Sequence, residues 1–558
     1  MASDAAFAYH EPSIKTVLNY TGFLLVLNIA NTCLDKLLYC GLIGQLFIGV
    51  LWGTPGAKWL DRETETVIQQ IGYLGLILLI YEGGLSTSIK ALKANILLST
   101  AVALTGVCAP MGLTFILMEL VSATPIQAFS AGAALSATSL GTTFTILSTT
   151  QLTTTRLGTV TTSAAMLDDV VGLVMVQIIS NLGGNSSFDA VTVIRPVFVS
   201  LGFAVGLLLL CAYCLGPALK ILLKYSHRLP DFAGTAQFAF LAQTCVLVGI
   251  VAGATYAGTS SLFAAYLAGV IVSWFDGLVA ESKIQPTALE PAVTQADSTS
   301  TQRTPARRSS RDANDHSDQS DLRTEQTESH QHVTGEMIYE RYYKEPTNRI
   351  LLPLFFASIG FAIPITKMFS GQIVWRGVIY AILMGIGKII TGLWLVRFSS
   401  NPLAGLVSML QRPLTYAHSC VKPRSHKHPR KAKAKAQGNA RRSNPQPNQT
   451  SPQTNETAPR SQLSLPPKPK SLYPPSILGL AMVARGEVGY LIASIAESQG
   501  IFSNGSSEGP SEIYLVAIWA ISLCTLIGPI LVGTLVKRVK KLQMSRDRGS
   551  DPLGVWGM

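Results

Sequence analysis

Charged residues are scarce in this sequence. Asp, Glu, Lys and Arg make up 14% of its 558 residues, against about 25% in an average soluble domain. Hydrophobic residues make up 48%, which excludes a disordered chain and argues against an ordinary soluble enzyme. Cysteine is also rare, with 8 residues. Cys211 and Cys214 share an apolar run that offers no third or fourth ligand, so we expect neither a zinc site nor a disulfide framework.

Most of the charge is confined to two polar segments. Residues 281–347 contain eight Lys or Arg and twelve Asp or Glu, and residues 400–473 contain thirteen Lys or Arg and one Glu. Both segments have few apolar residues to bury, which predicts disordered linkers. The net charge of the second segment, +12, equals that of the whole chain. We therefore expect no folded basic surface for nucleic acid. The second segment is interpreted as a solvated cytosolic loop or, alternatively, as a docking site for anionic lipid or a regulatory partner.

The remaining sequence is dense in apolar runs of about the length that crosses a bilayer, roughly 20 residues. It predicts an all-α polytopic membrane protein with about thirteen transmembrane helices. The predicted spans lie near residues 14–33, 39–53, 67–85, 94–119, 126–150, 157–182, 194–224, 234–256, 259–279, 349–367, 372–397, 474–498 and 512–536. The chain then divides into a first membrane half (1–280, nine spans), a polar linker (281–347), spans 10 and 11 (348–399), a basic loop (400–473), spans 12 and 13 (474–536) and a basic tail (537–558). No signal peptide is evident at the N-terminus.

Positive charge predicts the orientation of these spans. With the basic tail inside, most Lys and Arg residues of the connections, including both long segments, also fall inside, as the positive-inside rule requires. The N-terminus is then outside. Of the Asn-X-Ser/Thr sequons, Asn185 and Asn504 lie outside and are glycosylation candidates. Asn448 and Asn455 lie inside, and Asn19 lies within the first span.

Asp168 and Asp169 are the strongest functional candidates. They lie near the middle of a predicted 26-residue span, where an ionisable group costs roughly 2.5–3.5 kcal/mol or more. Two carboxylates cannot both ionise cheaply at low dielectric, so at least one is expected to hold a proton near neutral pH. Such a carboxyl group can hold either a proton or a metal cation. Competition between the two is the minimum requirement for cation/proton exchange, and a buried structural pair is the alternative.

Three further ionisable residues lie within predicted spans. Lys388 is about as deep as Asp168, and a buried ammonium needs a counter-charge, so we expect the two to pair; snorkelling to the interface is the alternative. Arg485 and Glu487 lie in a span interrupted by glycines, as expected where a helix breaks inside a cavity. Residues at i and i+2 do not face each other on a regular helix. Structural bracing and a role in the ion path both remain open for this pair.

The fifth predicted span is rich in hydroxyl groups. Around Gly141 lie Ser136, Thr138, Ser139, Thr142 and Thr143. Hydroxyls and freed carbonyls of a broken helix can coordinate a small cation, whereas a tightly packed helix interface is the alternative. The fifth and twelfth spans run in opposite directions, so spans 1–6 and 8–13 are predicted to be inverted repeats with broken crossing helices and the ion site between them.

These residues are set in motifs that resemble those of the monovalent cation/proton antiporter superfamily, in particular the fungal sodium/hydrogen exchanger-like proteins with an Asp-Asp motif. The motifs are CGLIGQLFIGVLWGTPG, GYLGLILLIYEGGL, AGAALSATSLGTTF, AMLDDVVGLV, LPLFFASIGF and MVARGEVGYLIA. They cover nearly all of the membrane portion and neither long polar segment. One departure concerns the fifth span, where many relatives have Pro after the Thr-Ser pair and this chain has Leu140 and Gly141.

The resemblance implies an NhaA-like antiporter fold, with a core domain that moves like an elevator against a dimerisation domain. It implies that Asp169 is the principal ligand of the cation and the proton and that Asp168 forms a breakable ion pair with Lys388. Thr138 and Ser139 are predicted to bind the cation or the proton together with the two aspartates. Members with an Asp-Asp pair are usually electrogenic and move two protons per cation.

We therefore expect a homodimeric secondary antiporter that exchanges Na⁺ or K⁺ for protons and needs no cofactor. A passive cation channel is the alternative. An intramembrane aspartyl protease is a remote one, because that chemistry needs aspartates from two helices. The chain is expected not to be an enzyme. The sequence leaves open whether it lies in the plasma membrane or in an internal membrane such as that of an endosome or vacuole.

Overall fold

The computed structural model describes most of the predicted membrane portion of the chain. The described residues are 11–38, 40–87, 89–139, 155–183, 190–224, 235–284, 334–396, 472–503 and 510–545, with the single positions 141, 143, 147, 152, 553, 556 and 557. Apart from Val396, they belong to one compact unit formed by residues 1–395 and 468–558. Every regular element in these ranges is helical.

Within the described ranges, nine helices are long and apolar enough to cross a membrane. Their bounds are α1 (Ile14–Leu38), α3 (Arg62–Leu85), α4 (Ile89–Thr114), α6 (Arg156–Leu182), α7 (Ala190–Leu210), α8 (Ala236–Ala257), α9 (Ser261–Ile284), α11 (Gly371–Ile389) and α14 (Glu512–Ser545). Helix α7 continues through a π-helical turn, Cys211–Leu215, into Gly216–Lys224. Because a bilayer offers backbone groups no hydrogen-bond partner, a helix that pairs them internally is the expected result of an apolar run. The chain is an integral, multi-pass membrane protein.

The other predicted spans coincide with shorter or interrupted helices. These are α2 (Gly41–Trp52), α5 (Pro125–Ser136), the helical run α10 at residues 335–361, α12 (Tyr473–Ala481) and α13 (Glu487–Ser498). Helix α5 starts at a capping box, in which the Thr124 hydroxyl accepts from the Gln127 amide and the Gln127 side chain accepts from Thr124 N. The total of thirteen spans stays a prediction.

Helix α10 begins well before the residue that the sequence predicts. The expected linker 281–347 ends early, because residues from Gly335 onward are helical. Thr334 caps the first turn through Met337 N, and Gly335 N donates to Asp276 Oδ2 over 2.7 Å. Ile338 and Tyr339 are buried. The average polarity of the linker hid this short stretch with buried residues.

The basic tail predicted at residues 537–558 also differs from the structure. Helix α14 continues to Ser545, so the first part of the tail extends the last span. Leu553 and Trp556 are buried in a cluster with residues of α6 and α14. The Arg156 guanidinium lies 5.2 Å from the centre of the Trp556 ring.

Close helix packing depends on residues without a side chain. A Cβ on Gly49 of α2 would lie 2.1 Å from the Ala357 carbonyl oxygen of α10, and a Cβ on Gly360 would lie 2.4 Å from the Leu46 carbonyl oxygen. In a membrane, where apolar burial between helices gives little driving force, such close backbone approach is a main source of helix association. The glycines of α2 and α10 are therefore packing positions.

We predict that Gly49→Ala destabilises the protein, because the added methyl would force α2 away from α10 at a cost of about 1–3 kcal/mol. The measurement is the apparent melting temperature of the purified protein in detergent, which should fall by several degrees. The control is Gly202→Ala on α7, where a Cβ meets no atom within 4 Å. Equal melting temperatures for the two variants would contradict the packing role.

Candidate functional site

The two adjacent aspartates lie at the middle of α6. Asp168 is 0% exposed and Asp169 is 3% exposed. Small residues on the same helix let neighbouring elements approach, since a Cβ on Gly172 would already lie 3.2 Å from Ala137 Cβ and 3.3 Å from Val488 Cγ1. The carboxylates of α6 thereby face two non-helical segments, one after α5 and one before α13.

Asp168 is held in a buried hydrogen-bonded triad with Lys388 and Thr138. Lys388 Nζ lies 2.6 Å from Asp168 Oδ2 and 2.7 Å from Thr138 Oγ1. The Thr138 hydroxyl donates to the same carboxylate oxygen. Lys388 comes from the last turn of α11 and is 0% exposed. The three groups come from three different segments, so the charge pair links α6, α11 and the chain after α5.

Two interrupted helices meet at this point. After Ser136 the chain is extended at Ala137, and between α12 and α13 it is non-helical from Met482 to Gly486. Ser139 N donates to the Ala484 carbonyl over 2.9 Å, and Thr143 Oγ1 donates to the Ala481 carbonyl over 3.1 Å. Each interruption thereby supplies partners for backbone groups that the other has freed, as non-helical backbone at membrane depth requires.

Arg485 and Glu487 each make contacts with the first interruption. Arg485, 0% exposed, donates through Nη1 to the carbonyls of Ser136 and Ala137 over 3.2 and 3.1 Å. Ser139 Oγ lies within 3.5 Å of Glu487 Oε2. Among the described residues no ion pair joins Arg485 to Glu487. Because the helix is interrupted between them, their side chains reach separate partners.

Asp169 faces a cavity of about 370 Å³. Its Oδ1 is buried and has no hydrogen-bond partner among the described atoms. The buried part of the lining includes Asp169, Met166 and Glu487, and the cavity extends to exposed residues at the start of α10. The lining residues at the start of α10 include Glu336, Glu340, Lys344 and Asn348, and Glu82 lies near the end of α3. The cavity therefore connects the Asp169 carboxylate with exposed residues.

The residues in the outer part of this cavity were not predicted from the sequence. Glu82 lies in the apolar run LLIYEGGL, and an acidic residue in such a run is a signal that would have found it. Glu336 and Glu340 were hidden because they fall in the segment predicted to be linker. In the predicted topology, the ends of α3 and the start of α10 lie on the cytosolic side. That topology predicts that the cavity opens towards the cytosol.

The hydroxyl residues of the fifth predicted span and the two glycosylation candidates differ in where they lie. Ser136 donates to the Ala133 carbonyl over 2.8 Å, which places its hydroxyl within α5. Thr138 and Ser139 lie in the extended segment and contact Asp168 and Glu487 respectively. Thr142, Asn185 and Asn504 lie outside the described residues. The structure thus brings together Asp168, Thr138 and Lys388 in one group. Asp169 and Glu487 line the cavity, and Ser139 contacts Glu487.

We predict that the Asp168–Lys388 pair is strongly coupled. Removal of one partner leaves an uncompensated buried charge, which costs about 3–5 kcal/mol, whereas removal of both does not. Lys388→Met and Asp168→Asn should therefore each lower the apparent melting temperature. The sum of these two decreases should exceed the decrease in the double variant, which is the sign of coupling.

The control cycle uses Arg376→Met and Glu512→Gln, an ion pair whose side chains are 26% and 42% exposed. Exposed pairs contribute only about 0.2–1 kcal/mol, so this cycle should be close to additive. Additive effects in the Lys388 cycle would contradict the coupling.

Comparison with known proteins relates the chain to ion exchangers. Residues 23–291, just under half of the chain, match the family described as sodium/hydrogen exchanger, transmembrane. The High-affinity Na(+)/H(+) antiporter NhaS3 of Synechocystis is 32% identical over 171 residues, 30% of this chain and 37% of that protein. Cation/H(+) antiporter 17 of Arabidopsis thaliana is 29% identical over 246 residues, 41% of this chain and 28% of that protein. The Na(+)/H(+) antiporter of Enterococcus hirae is 26% identical over 235 residues, 41% of this chain and 58% of that protein. Each match spans less than two thirds of the relative.

A solved structure has a similar fold. The sodium proton antiporter MjNhaP1 from Methanocaldococcus jannaschii aligns with a TM-score of 0.50 and 13% sequence identity, over 94% of this chain and 99% of that one. At this identity the likeness establishes the fold alone. The prediction of an all-α polytopic membrane protein with an antiporter fold is confirmed, whereas the inverted repeat stays a prediction.

Proposed function

We propose that this chain, which resembles the monovalent cation/proton antiporter superfamily, exchanges a monovalent cation, Na⁺ or K⁺, for protons across a membrane. The names of its relatives support cation/proton exchange. Na⁺ appears in the names of two of them, from Synechocystis and Enterococcus hirae. The proposal includes a homodimer, which the resemblance implies.

The observation that carries the proposal is the Asp169 carboxylate. It is buried, one of its oxygens has no hydrogen-bond partner among the described atoms, and it lines a cavity that reaches exposed residues. A buried carboxylate without a partner is costly. Either a proton or a cation removes that cost, and the two cannot occupy the same oxygen together. Competition at Asp169 therefore couples the movement of one to the movement of the other.

Asp168, Lys388 and Thr138 have a different role in this scheme. The Lys388 ammonium already balances the Asp168 carboxylate, so the cation has less to gain at Asp168 than at Asp169. Opening of the pair would let Asp168 accept a proton, and closing would release it. Together with Asp169, this gives two protons for each cation, the ratio that the Asp-Asp motif implies. Exchange would then move one net charge per cycle.

Arg485 is proposed to be a brace and not a ligand. Its Nη1 donates to the carbonyls of Ser136 and Ala137, which a break in a helix leaves without their usual partners. By holding these carbonyls, it fixes Thr138 and Ser139 beside the aspartates. The cation ligands near Asp169 would then keep their positions when the cation leaves.

We predict that Asp169→Asn abolishes exchange, because an amide neither ionises nor balances a cation. The measurement is sodium- or potassium-dependent proton movement in proteoliposomes, which should fall to the level of empty vesicles. The control is Asp61→Asn, which makes the same change at an exposed residue and should keep the activity. Normal exchange by Asp169→Asn would overturn the assignment.

The same vesicles separate an antiporter from a channel. An outward cation gradient should drive protons inward against their own gradient in an antiporter. A channel lets the cation pass down its gradient but cannot drive protons uphill. Cation flux without uphill proton movement would therefore favour the channel.

We further predict that exchange responds to membrane potential. Moving one net charge through about 60 mV changes the free energy by about 1.4 kcal/mol, which shifts the cation ratio at equilibrium about tenfold. The measurement is the cation ratio in proteoliposomes clamped at zero and at about 60 mV by an ionophore for an ion that the protein does not carry. A ratio independent of potential would indicate electroneutral exchange.

A further inference from the structure

Glu487 lies where a second cation ligand would be expected. It is the first residue of α13 and 6% exposed, although it is an acidic side chain at membrane depth. It lines the same cavity as Asp169. The backbone nearby is closely packed, because a Cβ on Gly172 of α6 would lie 3.3 Å from Val488 Cγ1 of α13. The two carboxylates therefore come from neighbouring helices that face one cavity.

The contacts of Glu487 leave its negative charge uncompensated. Its side chain is within 3.5 Å of the Ser139 hydroxyl, which is neutral. Arg485, the nearest basic residue in the sequence, directs Nη1 at backbone carbonyls of the first interruption. Among the described residues, none of the ion pairs includes Glu487.

The charges around the site favour a cation between Asp169 and Glu487. Asp168 is matched by Lys388, whereas the two acidic residues at the buried part of the cavity have no basic residue within ion-pairing distance among the described atoms. A buried acidic group without a counter-charge is expensive. Oxygen atoms are also the ligands that hard cations prefer. A carboxyl oxygen can coordinate whether or not its group carries a proton.

We propose that Glu487 is a second carboxyl ligand of the transported cation, which binds between it and Asp169. Ser139 positions the Glu487 carboxyl group, and the hydrogen bond from Ser139 N to the Ala484 carbonyl fixes Ser139 itself. A bound cation would then connect α6, through Asp169, to α13, through Glu487. The inference rests on the proposed exchange of cations for protons.

The test compares Glu487→Gln with Glu336→Gln in proteoliposomes. Both changes remove one acidic group from the lining of the same cavity, but Glu336 is exposed at its far end. Glu487→Gln should raise the cation concentration for half-maximal exchange at least about tenfold. Glu336→Gln should change it less than about threefold. Equal, small changes in both variants would overturn the inference.

A second measurement separates ligation from a structural role. The melting temperature of the purified protein is followed as Na⁺ or K⁺ is added. If Glu487 binds the cation, the concentration that gives half of the stabilisation rises at least about tenfold in Glu487→Gln. A purely structural residue would lower the melting temperature at every concentration and leave that midpoint unchanged, which would contradict the proposal. If Glu487→Gln does not fold, Glu487→Asp, which shortens the side chain by one methylene, must shift the same midpoint.

Failure of this inference is distinguishable from failure of the proposed function. If the unmodified protein exchanges cations for protons, Asp169→Asn does not, and Glu487→Gln behaves as the unmodified protein, only the role of Glu487 is wrong. If the unmodified protein shows neither exchange nor stabilisation by cations, the proposed function fails and the role of Glu487 falls with it.

Discussion

The buried ion pair of Asp168 and Lys388 determines which acidic groups of the site are left without a counter-charge. Each charge would be prohibitively costly alone at membrane depth, and each removes most of that cost from the other. Thr138 completes the pair by accepting from the ammonium and donating to the carboxylate. Because Asp168 is occupied in this way, the unbalanced negative charge of the site lies beside it, at Asp169 and Glu487. The pair thus distinguishes Asp168, whose charge is balanced by an ammonium, from Asp169, whose charge has no such partner among the described residues, although the two aspartates are adjacent in sequence.

The site also depends on two interruptions that support each other. A bilayer tolerates non-helical backbone only when its polar groups find partners. Here Ser139 N bonds to the Ala484 carbonyl, and Arg485 bonds to the carbonyls of Ser136 and Ala137. Without the interruption after α5, Arg485 would lack its two acceptors. Without the interruption before α13, the carbonyls of Ser136 and Ala137 would lack the donor Arg485. The freed backbone and the hydroxyls beside it are thereby brought to the same depth as the aspartates.

Much of this arrangement could be predicted from the sequence because charge is rare in the apolar runs. Asp168 and Lys388 stand out at once, and their equal depth points to a pair. The partners of Arg485 and Glu487 could not be predicted, because they depend on where the helix is interrupted. On a regular helix, the spacing of two residues fixes the angle between their side chains. Once the helix is interrupted between positions i and i+2, the spacing no longer does so. The position of Glu336 could not be predicted for another reason. The composition averaged over residues 281–347 is that of a linker, and this average conceals the first turns of α10. The fold class follows from apolar periodicity and length, whereas cavities depend on side-chain packing between distant segments.

The bonds between the interruptions also limit how the site can change its access. Separating the chain at Ser139 from the chain at Ala484 would leave backbone groups unpaired inside the membrane, at a cost of about 1–3 kcal/mol for each. A movement that carries both interruptions together keeps those bonds and avoids the cost. The cavity that reaches Asp169 is lined on its other side by α3 and α10, which do not take part in these bonds. Sliding of the interrupted helices against α3 and α10 would therefore leave these bonds intact, as the elevator movement implied by the resemblance would require.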